Sequence, residues 1–96
     1  MKLTVKSIHF DVADKLNDFI SKKADKFAKK SDEITEIDVT LKVVKPETAN
    51  NKEAAIKVLG TPEELFASKV ADSFEEAIDL TFDALKKQME KVKDKK

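Results

Sequence analysis

Cysteine is absent from this 96-residue chain, so disulfides and thiolate metal sites are excluded. Arginine is absent too: all nineteen basic residues are lysine. A lone glycine, Gly60, rules out a glycine-rich phosphate loop. A lone histidine, His9, has neither a second histidine nor a cysteine to complete a metal-ligand spacing, and reads as a strand-end residue. No metal or other cofactor is expected. Tyrosine and tryptophan are missing, and Phe19, Phe27, Phe74 and Phe82 fall on apolar helix faces. With no tyrosine or tryptophan available as an exposed stacking platform, a single-strand binder that stacks bases is disfavoured. No apolar run approaches the roughly 20 residues that span a bilayer, and MKLTVKSIHF lacks the apolar centre of a signal peptide. A cytoplasmic protein without membrane contact is the expectation.

What is present is charge: 40% of the residues, balanced at 19 of each sign. The length suits one domain, spanning 1–96, with one modest core. Zero net charge argues against a generic polyanion binder. It does not argue against a local one, because screening confines exposed charges to about 8 Å at physiological salt.

Apolar periodicity divides the chain. Residues 3–10 alternate, with Leu3 and Val5 on one face and Lys2, Thr4 and Lys6 on the other, which is a strand with one buried face. Asp11 is placed as the N-cap of a helix over 12–30, with Asp14 in its first turn. Leu16, Phe19, Ile20, Ala24 and Phe27 give it an apolar stripe, and Lys15, Lys22, Lys26, Lys29 and Lys30 an outer face. The stretch KKSDE ends it. Ile37, Val39, Leu41 and Val43 alternate against Asp38, Thr40, Lys42 and Val44 in a second strand, 37–45. A loop or hairpin turn over 46–51 leads to a third strand, 52–59, with Ala54, Ile56 and Val58 inward. Gly60-Thr61-Pro62 breaks it, and a short fourth strand follows over 65–70. Asp72 or Ser73 caps the last helix, which buries Phe74, Ile78, Phe82 (or Thr81), Leu85, Met89 and Val92.

The order β-α-β-β-β-α predicts an α+β two-layer sandwich, with both helices packed on one face of a four-stranded sheet. The open face would carry Lys2, Lys6, Lys42 and Lys57 with Thr4 and Thr40.

Catalytic chemistry finds no foothold. Ser7, Ser21, Ser31, Ser68 and Ser73 sit in no G-x-S-x-G elbow. Glu63-Glu64 and Glu75-Glu76 occupy helix-start or loop contexts that dipole complementarity explains. The chain is expected not to be an enzyme and to have no small-molecule substrate.

Lysine is the informative residue. The first helix supplies Lys22, Lys23, Lys26, Lys29 and Lys30; the last supplies Lys86, Lys87, Lys91 and Lys93, after an acidic start of Asp72, Glu75, Glu76, Asp79 and Asp83. Two such helices side by side would present ammonium groups spaced for a phosphate backbone. The ordinary alternative is a set of solvated faces, with late-helix lysines complementing the macrodipole.

Three segments resemble the short ribosome hibernation-promoting factors, also described as ribosome-associated inhibitor or sigma-54 modulation proteins. Leu16-x-x-Phe19-Ile20-x-x-Lys23-x-x-Lys26-Phe27 is similar to that family's L-x-x-F-(V/I)-x-x-K-x-x-K-L. Val39-x-Leu41-Lys42-Val43-x-Lys45 is similar to its V-x-L-K-V-x-K. Ala77-Ile78-Asp79, Asp83, Leu85 and Lys87-Gln88-Met89-x-Lys91-x-Lys93 resemble its A-I-D-x-x-x-D-K-L-x-R-Q-L-x-K-x-K. Ala84 stands where that family usually has lysine, Lys87 where it has arginine, and Glu75 where tyrosine is common.

The resemblance implies binding to the small ribosomal subunit and its 16S rRNA, in the channel used by mRNA and tRNA. It also implies inhibition of translation in stationary phase or stress. It carries Lys23, Lys26, Lys42, Lys87, Lys91 and Lys93 over as RNA contacts; the helix-face argument adds Lys22 and Lys86. Long forms of the family dimerise through a further C-terminal domain. The chain as given ends at Lys96, so a free monomer is expected. Two other readings stand beside this one. A protein-interaction module would use the acidic stretch from Glu63 to Asp83. A duplex-RNA binder would share the αβββα layout, but lacks that fold's lysine-rich helix start.

Overall fold

The computed structural model describes residues 2–8, 10–30, 33–44, 50–60 and 64–94, with side chains up to Lys91. Its elements are β1 (Lys2–Ile8), α1 (Asp14–Ala28), β2 (Glu36–Val43), β3 (Lys52–Leu59), β4 (Leu65–Ala71) and α2 (Phe74–Asp94). The four strands lie in the order β1-β2-β3-β4, with β1 parallel to β2 and the other pairs antiparallel. This is the expected β-α-β-β-β-α sandwich.

Strand alternation sorts the two faces. Ile37, Val39 and Leu41 of β2 and Ala54, Ile56 and Val58 of β3 are buried beneath the helices. Ile20, Ala24 and Phe27 of α1 and Ala77, Ile78, Leu85 and Met89 of α2 close over them. Each fully buried large aliphatic side chain contributes about 1.5–3 kcal/mol. On α2 both Thr81 and Phe82 are buried. The Thr81 hydroxyl lies 2.6 Å from the Ala77 carbonyl oxygen and 3.2 Å from that of Ala54 on β3, so a polar group survives in the core. Val92, His9, the helix-ending Ser31 and Asp32, most of the 46–51 loop and the Thr61-Pro62 break lie outside the residues or side chains described.

Helix α1 starts later than the sequence suggests. Ala13, not Asp11, occupies the N-cap, with extended φ −67° and ψ 151° and no side-chain cap. The extra extended residues let Phe10 stack on Phe74 at 4.9 Å and let Phe10 and Val12 pack against the core. Core contact outweighs a cap bond of about 1 kcal/mol. At α2 the choice falls on Ser73, whose Oγ accepts the Glu76 N–H at 3.2 Å. Asp72 instead accepts the Asn50 N–H at 2.7 Å, holding the end of the β2–β3 connection, where Asn50 takes φ 55°.

Gly60 ends β3 with φ +97°. A Cβ there would stand 2.2 Å from the Glu33 carbonyl oxygen and 2.6 Å from the Thr35 nitrogen, so only glycine lets the two connections cross.

Candidate nucleic-acid interface

Topology fixes how the lysines meet. Helix α1 returns between parallel strands and so runs against β1 and β2. Strand β4 is parallel to β2, and α2 folds back along it. The two helices therefore point the same way. The cross-helix contacts keep step: Lys23 meets Asp79, and Phe27 meets Phe82 at 5.5 Å between ring centroids. Both negative dipole ends lie at one end of the molecule, and cations there are favoured. Lys26 of α1, Lys29 and Lys30 just past its end, and Lys86, Lys87 and Lys91 of α2, all exposed, cluster toward that end.

Two clefts flank α2. The first, of about 160 Å³, separates the helices; Lys23, Lys26, Lys30 and Lys86 line it, with Asp79 and Asp83. The second runs between α2 and the edge strand β4, where Lys69, Lys87 and Lys91 gather beside Gln88. Gln88 Nε2 donates to the Phe66 carbonyl oxygen at 2.8 Å and so ties α2 to that strand. Adjacent Lys86 and Lys87 thus serve opposite sides of one helix, and the C-terminal half of α2 is a cationic ridge.

The lysines singled out from the sequence do not share one surface. Lys26, Lys86, Lys87 and Lys91 flank the ridge. Lys23 lies beside them, but its Nζ sits 2.7 Å from Asp79 Oδ1 and 5.5 Å from the Phe19 ring centroid. That pair is half exposed and contributes about 0–1 kcal/mol; it occupies Lys23 more than it stabilises the fold. Lys22 is exposed on α1 outside both clefts. Lys42 is on the other face of the sheet, in register with Ile8 and Glu53. The Lys93 side chain lies beyond those described.

Sequence reasoning missed Lys69. It shares strand parity with Leu65, Ala67 and Ala71, and so sits on the helix side of β4. A lysine at a core-parity position near the end of an edge strand is the pattern that marks it. The open face holds Lys2, Lys6, Lys42 and Lys57 as expected, but Glu36, Asp38 and Glu53 share it. There a hydrogen bond to Asp38 raises the Glu36 pKa, helped by desolvation and by the like charge of Asp38, and opposed by Lys2 and Lys57. Among the described residues no group of three His, Cys, Asp or Glu side chains could hold a metal ion, and no helix is long and apolar enough to cross a membrane.

A model of the sigma 54 modulation protein / S30EA ribosomal protein family matches residues 3–96. The chain belongs to that family. Membership supports a ribosome-associated role, and the family is not known for enzymes. A ribosomal subunit interface protein from Coxiella burnetii superposes with a TM-score of 0.85 at 22% identity, covering 97% of this chain and 98% of that one. The Protein Y N-terminal domain of Thermus thermophilus superposes with a TM-score of 0.79 at 19% identity, over 96% and 99%. At such identities the likeness is one of fold. No curated protein matches the chain.

Proposed function

We propose that this S30EA-family chain is a ribosome hibernation factor. As one 96-residue domain it binds the small ribosomal subunit through 16S rRNA, in the decoding channel used by mRNA and tRNA, and inhibits translation in stationary phase or stress. It acts by occlusion, without catalysis, cofactor or small-molecule substrate, in the cytoplasm, and is monomeric when free. The observation that carries this reading is the gathering of Lys26, Lys30, Lys86, Lys87 and Lys91 at the common C-terminal end of two parallel helices. Lysine is a point charge and cannot fork onto a phosphate as arginine does, so affinity rests on charge and placement along the backbone.

The experiment is co-sedimentation with 30S subunits. Lys87→Glu combined with Lys91→Glu reverses two exposed charges on the ridge and should abolish pelleting while the circular dichroism spectrum stays that of the parent. Undiminished pelleting of the double variant would sink the assignment to this ridge. Pelleting of the parent that ignores salt would favour a protein-interaction module.

A further inference from the structure

The sheet face away from the helices carries an aromatic that strand parity turns outward. Phe66 lies between inward-facing Leu65 and Ala67 on β4 and is 55% exposed. Although tyrosine and tryptophan are absent, this phenylalanine offers an exposed ring.

Its neighbours form a site. The register places Thr4, Asp38, Lys57 and Phe66 in one row across the four strands. The next row is Lys6, Thr40, Ala55 and Ser68. The small side chain of Ala55 leaves a depression of about 250 Å³, walled by Phe66 and Lys57 and reaching Asp38, Thr4 and Lys6. Asp38 Oδ1 is buried there and has no hydrogen-bond partner among the described residues. An acceptor without a donor costs about 1–3 kcal/mol, and a donor brought to this carboxylate from the depression that it lines offsets that cost. Phe66 and Asp38 stand two strands apart, roughly 10 Å at the backbone. A base stacked on the ring and lying over Ala55 spans that distance with its edge.

We propose that this face holds one unpaired RNA nucleobase, stacked on Phe66, with its exocyclic amino group donating to Asp38 and its phosphate beside Lys6 or Lys57. The chemistry favours cytosine, adenine or guanine over uracil. Uracil flanks its one Watson–Crick N–H with two carbonyl oxygens, which a carboxylate repels. Charge also separates this site from the ridge. Lys2, Lys6, Lys42 and Lys57 are balanced by Glu36, Asp38, Glu53 and Glu64, and Lys57 Nζ lies 3.8 Å from a Glu64 oxygen. A neutral face gains little from counterion release, so stacking and hydrogen bonding carry recognition and salt dependence is shallow. The proposal shares with the preceding reading only its partner, RNA; the surface and the forces differ.

Amide shift mapping of the full chain tests it. Cytidine and uridine 5′-monophosphates and an eight-nucleotide single-stranded RNA are the probes. Shifts should centre on Thr4, Thr40, Ala55, Lys57 and Phe66, with cytidine bound more tightly than uridine. Phe66→Ala should weaken binding at these amides about tenfold or more, Phe66→Tyr should retain it, and Asp38→Ala should erase the preference over uridine. The Lys87→Glu, Lys91→Glu double variant should leave this pattern intact, so failure of the ridge and failure of the sheet site are told apart. Silent sheet amides, or shifts that survive Phe66→Ala, would overturn the site. Concentration-dependent broadening of the same amides without RNA would instead make the face a protein contact and would equally overturn it.

Discussion

Replacing Lys87 and Lys91 together by alanine should flatten the salt dependence of 30S binding, not merely weaken it. Alanine removes two ammonium groups and keeps the highest helix propensity. Both sites are exposed, so the fold should change by no more than about 0.5 kcal/mol. The magnitude follows from the two clefts. Of the lysines that line them, Lys23 is occupied by Asp79 at 2.7 Å. Five of the others, Lys26, Lys69, Lys86, Lys87 and Lys91, are all exposed. If each meets one phosphate, log Kobs against log salt should fall with a slope of about −3.5 to −4.5, or about −0.7 to −0.9 per contact. Three contacts leave about −2.1 to −2.7. Between 50 and 200 mM salt the parent should lose affinity by about 130- to 500-fold and the variant by only about 20- to 40-fold. Fluorescence anisotropy of labelled protein against 30S subunits, at four or five salt concentrations, reads both slopes. Parallel lines, with the variant displaced but equally steep, would refute the phosphate assignment for this pair.

Two further perturbations address the fold. Gly60→Ala should cost about 2–4 kcal/mol, since it combines a left-handed backbone with a Cβ 2.2 Å from the Glu33 carbonyl oxygen; a thermal midpoint lowered by less than roughly 5 °C would show that the crossing of the two connections can relax. Glu36 holds its proton more tightly in the folded chain than in the unfolded one. Its contribution to stability is therefore complete below the ordinary glutamate value of 4.5 and is lost as the pH climbs through the raised folded value. Glu36→Gln should flatten the urea midpoint across that window, and identical pH profiles for parent and variant would exclude the Glu36–Asp38 pair as its source.

The legible parts of this chain were those governed by local periodicity. Alternation at Ile37, Val39 and Leu41 and the three- and four-residue spacing of Ile20, Ala24 and Phe27 each name a buried face, because side-chain direction in a strand or helix is set by the backbone. β3 begins and ends at Lys52 and Leu59, as read. The start of α1 lies past Asp11 because a cap preference of about 1 kcal/mol yields to the packing of Phe10 and Val12, and that packing involves Phe74, sixty-odd residues away. Phe66 was legible in principle, since its parity against Leu65 and Ala67 turns it outward.

Element order, the two-layer class and the lysine-rich character of both helices follow from composition and from spacing within single segments. Tertiary structure alone decided which charges act together. The parallel first pair of strands makes the helices run the same way and brings their lysine-rich ends side by side. Packing between distant segments also occupies Lys23 with Asp79 and brings Lys69 of the edge strand beside Lys87 and Lys91, whereas alternation within β2 already assigns Lys42 to the open face. Contacts between distant segments depend on strand order and register, and no periodicity within a segment encodes them.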